Sequence, residues 1–439
     1  MESPAALQLG CRQRSGLRRK YLDMSRIETA RQTNIAPIEF LNLDTVLNSY
    51  ISGPEIEWNP SFATFQSRVD MLSKLRFPRP QLLPSGFPGF IKAPWAWDGS
   101  DYQQSERYIL QLEESDIEEI ENALRHFKGL IGRLDFDNVS KETFPLPTLG
   151  SRFGQIALDL HCGRGFSVIR GLEPRSYSVI ENTIIYLGIT SYIAEKRGCQ
   201  DSSGNMMNLG KQIPQAELRQ SPFASNAQPF HNDVCDILAM YVQEQAAEGG
   251  ESHLASCARV YNEIAATRPD VIHTLAASNW VFDKHQSPAY WNTRSILFNF
   301  ENKGPGFCFS RRPITGSPTS PRTPGVPPMS EIQAEALDMV HFLAVKHKLT
   351  MRLQRGDIQL INSLAIQHSR NHFTDSDTQR RHIIRLWLRN EEMAWETPEG
   401  LQKTWFEKYG DSERRKKARW NIQPGATRER ILFRSDSCS

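Results

Sequence analysis

Arg381-His382-Ile383-Ile384-Arg385-Leu386-Trp387-Leu388-Arg389 is the stretch of this 439-residue chain that bears most on its fold. Alternation at period 2 reads as a β-strand with Arg381, Ile383, Arg385 and Trp387 on one face. The other face, His382, Ile384, Leu386 and Leu388, is nearly all apolar and suits packing beneath helices. The arginines are then forced into a barrel interior. Burying two like charges is costly unless an anion compensates them, and the planar guanidinium fork matches a carboxylate. The alternative is a two-sided amphipathic strand whose arginines face water. The pattern alone leaves both open.

Working outward, two segments carry metal-ligand chemistry: Phe230-His231-Asn232-Asp233 and Gln367-His368. A His-x-Asp with a distant His makes a 2-His-1-carboxylate facial triad, which leaves three metal positions free. With 11 His and 50 acidic residues, roughly one His-x-acid match is expected by chance. His231 and Asp233, two apart at the start of a strand, can point to one face. The bland reading is a surface His beside a turn Asp. His368 follows the expected strand Gly356-Asp357-Ile358-Gln359-Leu360-Ile361-Asn362, whose end suits a third ligand. A structural role is its alternative, and His372 is a rival ligand. In Gly249-Gly250-Glu251-Ser252 the hydroxyl suits carboxylate binding or, equally, a turn.

Other elements frame these motifs. A helix is expected at about 116–128, with Ser115 and Glu118 as a capping box, and another opens at Ser178 with Glu181. Gly165–Gly171 reads as a strand ended by glycine. Further strands are expected at 236–243, 295–301 and 356–362, and helices near 257–266 and 331–345, the latter capped by Ser330 with Gln333. Residues 304–329 hold seven Pro and read as a site lid or a disordered insert. The division is 1–35 a disordered extension, 36–150 a wrapping segment with a helix, 151–395 the core, and 396–439 a helix with a basic tail. The fold class is mixed α+β, a double-stranded β-helix (jelly-roll) core flanked by helices.

Composition narrows the function classes. A net charge of +2 gives no global field for nucleic acid. No apolar run approaches the roughly 20 residues that span a bilayer. Seven Cys, scattered and outside any C-x-x-C pair, suit a reducing compartment, the cytoplasm. The Arg-rich, acid-poor residues 1–22 are either a disordered extension or a mitochondrial presequence. The run Arg414-Arg415-Lys416-Lys417-Ala418-Arg419 is a solvated tail or a phosphate-binding patch. Oligomeric state is not readable.

These motifs, together with Val260-Tyr261-Asn262-Glu263-Ile264 and His368 with Arg370, stand in the order found in a known family. Over about 165–395 the chain resembles the TauD/TfdA-like (taurine catabolism dioxygenase) branch of Fe(II)/2-oxoglutarate-dependent dioxygenases. It is most similar to fungal-type members of small-molecule pathways. The resemblance implies a clavaminate-synthase-like jelly roll and Fe(II) held by His231, Asp233 and His368. It implies that Arg381 holds the distal carboxylate of 2-oxoglutarate and that Ser252, at a position often Thr, assists. Arg385 matches a second arginine that contacts an acidic substrate group in some members and supports the cosubstrate or core in others. O₂ is the second cosubstrate. The implied reaction couples decarboxylation of 2-oxoglutarate to succinate and CO₂ with oxidation of an unactivated C–H in a small molecule. Hydroxylation, desaturation or cyclisation can follow, plausibly in secondary metabolite biosynthesis. An intact Asp233 argues against a halogenase, and the core cycle requires no catalytic residue beyond the metal ligands. Two other classes stand beside this one: a zinc-dependent hydrolase using the same three ligands, and a non-catalytic jelly-roll binding protein. Phe230, Trp280, Trp291 and the 304–329 loop are candidate pocket elements.

Overall fold

The period-2 stretches of the sequence become two facing sheets. The computed structural model describes residues 56–75, 79–130, 135–202, 204–211, 224–285, 288–317, 320–420 and 422. The expected 1–35 extension, its presequence alternative and the end of the basic tail lie outside them. Helix α1 (Phe62–Lys74) precedes strand β1 (Ile109–Gln111), helices α2 (Glu114–Gly129) and α3 (Leu149–Cys162), strand β2 (Phe166–Arg170) and helix α4 (Val179–Ser191). Strands β3 (Lys196–Arg197), β4 (Asn208–Lys211), β5 (Gln228–His231), β6 (Ile237–Glu244), β7 (Glu248–Gly249) and β8 (Ser252–Ser256) follow. Helices α5 (Cys257–Thr267) and α6 (Pro269–Ala276) come next. Two pairs, β9 (Trp280–Asp283) with β10 (Trp291–Arg294) and β11 (Leu297–Phe300) with β12 (Gly304–Phe307), lead to α7 (Arg312–Thr315) and α8 (Glu331–Lys346). The remaining elements are β13 (Leu349–Met351), β14 (Ile358–Asn362), β15 (Ile366–Arg370), β16 (Phe373–Thr374), β17 (His382–Arg389) and α9 (Glu399–Tyr409).

The larger sheet runs β1-β2-β14-β6-β17-β3, with β4 also on β17, and the smaller runs β13-β8-β15-β5. Residues of both sheets line one interior cleft, the arrangement of a jelly roll flanked by helices. The two-faced reading of β17 explains how it sits. Ile384, Leu386 and Leu388 join a core with Ile184, Ile185 and Leu187 of α4, while Ile383 and Arg385 line the cleft. Leu386 and Leu388 are fully buried, each side chain contributing about 1.5–3 kcal/mol of hydrophobic stabilisation.

Local signals set most boundaries. Ser178 with Glu181 and Ser330 with Gln333 form the expected capping boxes of α4 and α8. Helix α2 begins earlier than Ser115 suggests. Its box pairs Glu113 with Asp116, and Asp116 is also held by Arg152 at 2.7 Å. That tertiary ion pair selects Asp116 over Glu118.

The 304–329 segment departs from expectation. Its described start forms β12 and α7, with Phe307, Cys308, Phe309 and Ile314 buried in the core, and none of its described residues lines the cleft. Its apolar residues, outweighed in composition by proline, anchor it. From the wrapping segment, Trp97 packs on Phe166 with ring centroids 5.1 Å apart and Trp95 on Trp395 at 5.2 Å. Among the described residues no helix is long and apolar enough to cross a membrane.

Candidate metal centre and its cleft

The ladder between β5 and β15 sets His231 directly opposite His368, and their rings approach to 4.1 Å between centroids. Asp233 follows in the turn toward β6, with Oδ1 3.8 Å from His231 Nε2. One ligand atom from each of His231, Asp233 and His368 lies within 4.8 Å of the others, and all three residues are buried. His231 therefore ends a strand instead of beginning one. His368 sits inside β15, not at the end of β14. His372 is exposed and outside the cluster.

Backbone contacts hold the turn in place. Asn232 N–H donates to the Phe309 carbonyl at 2.8 Å, and its side-chain Nδ2 donates to the Ser363 carbonyl at 2.6 Å. Ser363 Oγ donates to the Asp233 carbonyl at 2.8 Å. The register between β5 and β15 shifts just here, Pro229 and Phe230 on one strand opposing the single Ser369 on the other. Pro229, which has no N–H to lose, sits in this bulge. Its carbonyl lies 2.9 Å from His231 Nδ1. A carbonyl only accepts, so Nδ1 carries the hydrogen and Nε2 keeps a lone pair for the cluster.

The cluster's free atoms fit a divalent metal. Asp233 Oδ2 accepts from Arg385 Nη1 and from Trp387 Nε1, both at 2.9 Å. Asp233 Oδ1 is buried without a hydrogen-bond partner. A bare buried acceptor is costly, and an ion held by the three ligand atoms relieves it. Two imidazoles and one carboxylate suit iron with open positions. The protonation states agree. Burial, followed by the neighbouring His231, pushes His368 down to about 3, and burial also lowers His231. Burial alone raises the Asp233 carboxyl, but Arg385, the two imidazoles and the Trp387 N–H outweigh it and leave it below its ordinary value. The ligands stand as two neutral imidazoles and a carboxylate.

A second row of polar groups lies two residues along the smaller sheet, on the same face. Ser252 pairs with Arg370, and Arg370 with Gln228. All three line the cleft, which encloses about 990 Å³ including its open mouth. Ser252 Oγ donates to Gln359 Oε1 at 3.2 Å. Arg370 spends its guanidinium on backbone carbonyls, those of Ala224 (3.0 Å), Asn226 (2.8 Å) and Asn371 (3.0 Å) among them. Arg381 projects from the start of β17 into the same space. Phe373 lies between the two arginines, 4.6 Å from Arg370 Cζ and 5.3 Å from Arg381 Cζ. Burial lowers the Arg381 pKa to about 10, with Asp375 acting the other way. Asp375 bonds the Arg381 backbone N–H at 2.8 Å. Among the described residues no carboxylate is hydrogen-bonded to the Arg381 guanidinium. Gly249 and Gly250 close this end at φ +70° and +76°. A Cβ on Gly249 would stand 2.3 Å from the His372 carbonyl, and one on Gly250 3.3 Å from Phe373 Cβ.

Arg385, expected on cosubstrate or substrate, is engaged within the chain. Besides Asp233 it donates from Nε to Gln200 Oε1 at 2.9 Å, and its Nη2 is buried without a partner. Trp387 and Gln200 were not singled out as site residues. The strand period puts Trp387 on the face of Arg381 and Arg385, whereas Gln200 carries no sequence signal. Phe230 and Trp280 are buried in the core, Trp291 is exposed on β10, and none lines the cleft. The free thiols of Cys199, Cys235, Cys257 and Cys308 are all buried. Burial pushes Cys257 up to about 12 and Cys235 well above the usual thiol range.

The family described as taurine catabolism dioxygenase TauD, TfdA matches residues 130–387, more than half of the chain. A taurine hydroxylase-like protein of Stachybotrys chartarum is 34% identical over 350 residues, which cover 76% of this chain and 89% of that protein. FR-33289 synthase of Streptomyces rubellomurinus is 24% identical over 308 residues, 66% of this chain and 88% of that one. Among solved structures, an asparagine oxygenase in complex with Fe(II), 3-hydroxyasparagine and succinate superposes with a TM-score of 0.51 at 16% identity. That match covers 64% of this chain and 93% of the other, and at this distance it shows the shared fold.

Proposed function

The chain belongs to the taurine catabolism dioxygenase TauD, TfdA family and is a 2-oxoglutarate-dependent non-haem iron dioxygenase, in which we propose that His231, Asp233 and His368 hold the Fe(II). Arg381 and Ser252 receive the distal carboxylate of 2-oxoglutarate. The observation that carries this reading is the pairing of the buried His231/Asp233/His368 cluster, whose two histidines line the cleft, with Arg381 in the same cleft, which among the described residues bonds no carboxylate. Two rows two residues apart on one strand face are about 7 Å apart, a span suited to a short dicarboxylate anchored at both ends.

Bound there, iron with 2-oxoglutarate and O₂ supplies an oxidant able to break an unactivated C–H bond, and the cosubstrate leaves as succinate and CO₂. The chain's own residues orient and enclose. His231 Nδ1–H on Pro229 fixes which nitrogen faces the metal. Ser252 sets the polar end of the chamber, while Met240, Val242 and Ile383 line it with apolar groups that exclude water. The substrate is a small organic molecule, hydroxylation is the outcome we assign, and secondary metabolism is the setting, in line with the relatives' names. Arg385 gives Nη1 to Asp233 and Nε to Gln200, which leaves only its Nη2 to meet a cosubstrate or substrate group in the cleft. A zinc hydrolase using the same triad leaves Arg381 and Ser252 without a role. We assign the chain to the cytoplasm on its scattered cysteines, none in a C-x-x-C pair.

The test is an anaerobic titration of the Fe(II)-loaded protein with 2-oxoglutarate. A visible charge-transfer band should grow to one equivalent, and Arg381→Gln should weaken it without loss of bound iron. Absence of the band in the native chain, with turnover indifferent to 2-oxoglutarate, refutes the reading.

A further inference from the structure

The family match ends at residue 387, yet the chain continues into α9 and the basic run 414–419, to which the reaction gives no task. Their contacts lead back to Asp233. Lys408 of α9 is buried, with Nζ 4.0 Å from the centroid of the Trp387 ring. That ring is the one donating Nε1–H to Asp233 Oδ2. The Lys408 carbonyl accepts from Cys199 N–H at 3.1 Å, and the Trp387 carbonyl accepts from Gly198 N–H at 2.8 Å. The next residue, Gln200, donates from Nε2 to the Arg385 carbonyl at 2.7 Å and receives Arg385 Nε on Oε1. On the far side, Met206 N–H donates to the Arg419 carbonyl at 3.1 Å, and Arg419 Nε donates to Asn205 Oδ1 at 3.0 Å. Residues 198–202 and 204–206 are thus gripped between β17 and the C-terminal segment.

We propose that Arg385 and Trp387 are positioning residues that fix Asp233 as a one-oxygen ligand, and that the C-terminal segment braces them through Lys408 and Gln200. The inference rests on the metal site proposed above. Two donors on Oδ2 leave Oδ1 as the only carboxylate atom free for a metal. A carboxylate that swung round to bind through both oxygens would take up a position the cosubstrates need. Hydrogen bonds to a ligand's outer atom set its orientation and basicity. Lys408 over the ring face holds the indole plane and strengthens its N–H as a donor.

Co(II) titration of the full-length protein tests this without turnover, through the Kd and the d–d absorption bands. Trp387→Phe keeps an aromatic ring beneath Lys408 and loses the indole N–H. It should raise the Co(II) Kd about 10- to 100-fold and shift the bands as the coordination changes. Lys408→Met and Gln200→Leu should move both readouts in the same direction and by less, with Lys408→Arg restoring them. Should Trp387→Phe not fold, Gln200→Glu offers Arg385 a competing carboxylate and should produce the same shift. Lower thermal midpoints with Kd and spectrum unchanged in the Lys408 and Gln200 variants overturn the brace. An unchanged Trp387→Phe overturns the clamp. A native chain that takes up no Co(II) overturns instead the metal site on which both depend.

Discussion

Arg381 is a charge the folded chain does not fully neutralise. Its guanidinium rests over Phe373 and feels Asp375, but bonds to no carboxylate among the described residues. A charge-assisted pair to a bound carboxylate is worth about 1.5–3 kcal/mol. Arg381→Gln should therefore raise the 2-oxoglutarate Kd roughly 10- to 100-fold, measured by the charge-transfer titration. Arg381→Lys should recover only part of this, since an ammonium lacks the planar fork. Ser252→Ala removes one hydroxyl contact to that carboxylate, about 1.5 kcal/mol at the low end for a bond to a charged group, and should weaken cosubstrate binding about 10-fold. Strand period alone put Arg381 on one face with Arg385 and Trp387 but left open whether that face meets water or the barrel interior. The engagement of Arg385 with Asp233 was not legible, because 152 residues separate the two. Their contact depends on how β17 sits relative to β5, which no local pattern encodes.

Elements decide how those residues meet. The Gly249-Gly250 turn lets β7 pair with β16 and brings Phe373 beneath Arg381. In Gly250→Ala the new Cβ meets Phe373 Cβ at 3.3 Å and Arg381 Nε at 3.7 Å, at a φ that L-residues rarely adopt. We expect weaker 2-oxoglutarate binding with metal affinity retained, the reverse of the pattern expected for Trp387→Phe. Equal losses in both affinities would show that the turn does not act through Arg381. Strands β6, β14 and β17 were readable because each carries a long apolar face. Strand β15 was not. It lies between β8 and β5, and all five of its residues, Ile366-Gln367-His368-Ser369-Arg370, are buried. Polar groups on both faces erase the alternation. The strand that carries the third ligand candidate was thus the hardest to see, and His368 was assigned to the end of its neighbour.

At the scale of the whole molecule, burial of ionisable groups sets the acid limit of stability. Burial depresses His161 to about 4 and His341 to about 3. Unfolded, each titrates near the ordinary value of about 6.5. Below that pH the unfolded chain takes up protons that the folded chain refuses. Their contribution is therefore complete above about 6.5 and is lost as pH falls toward 4 and 3. At about pH 5 each accounts for roughly 2 kcal/mol. The thermal midpoint should fall between about pH 7 and about pH 5, and His161→Gln should make that fall shallower. An equally steep fall in the variant would remove His161 from the account. The layered architecture was legible from the succession of strand and helix patterns. The anchoring of β12 and α7 was hidden by proline-rich composition, although Phe307, Phe309 and Ile314 are what bury them.

The four sealed sulfhydryls have a consequence for anyone who handles this protein. Cys199, Cys235, Cys257 and Cys308 belong to different parts of the chain, and burial keeps each of them protonated and out of reach of a reagent. A maleimide can therefore tag them only as quickly as the surrounding structure opens. Mass spectrometry of alkylated peptides would turn these native residues into four clocks, one each beside Gln200, on the Asp233 turn, at the start of α5 and on the segment after β12. Whichever runs fastest marks where the enzyme first comes apart.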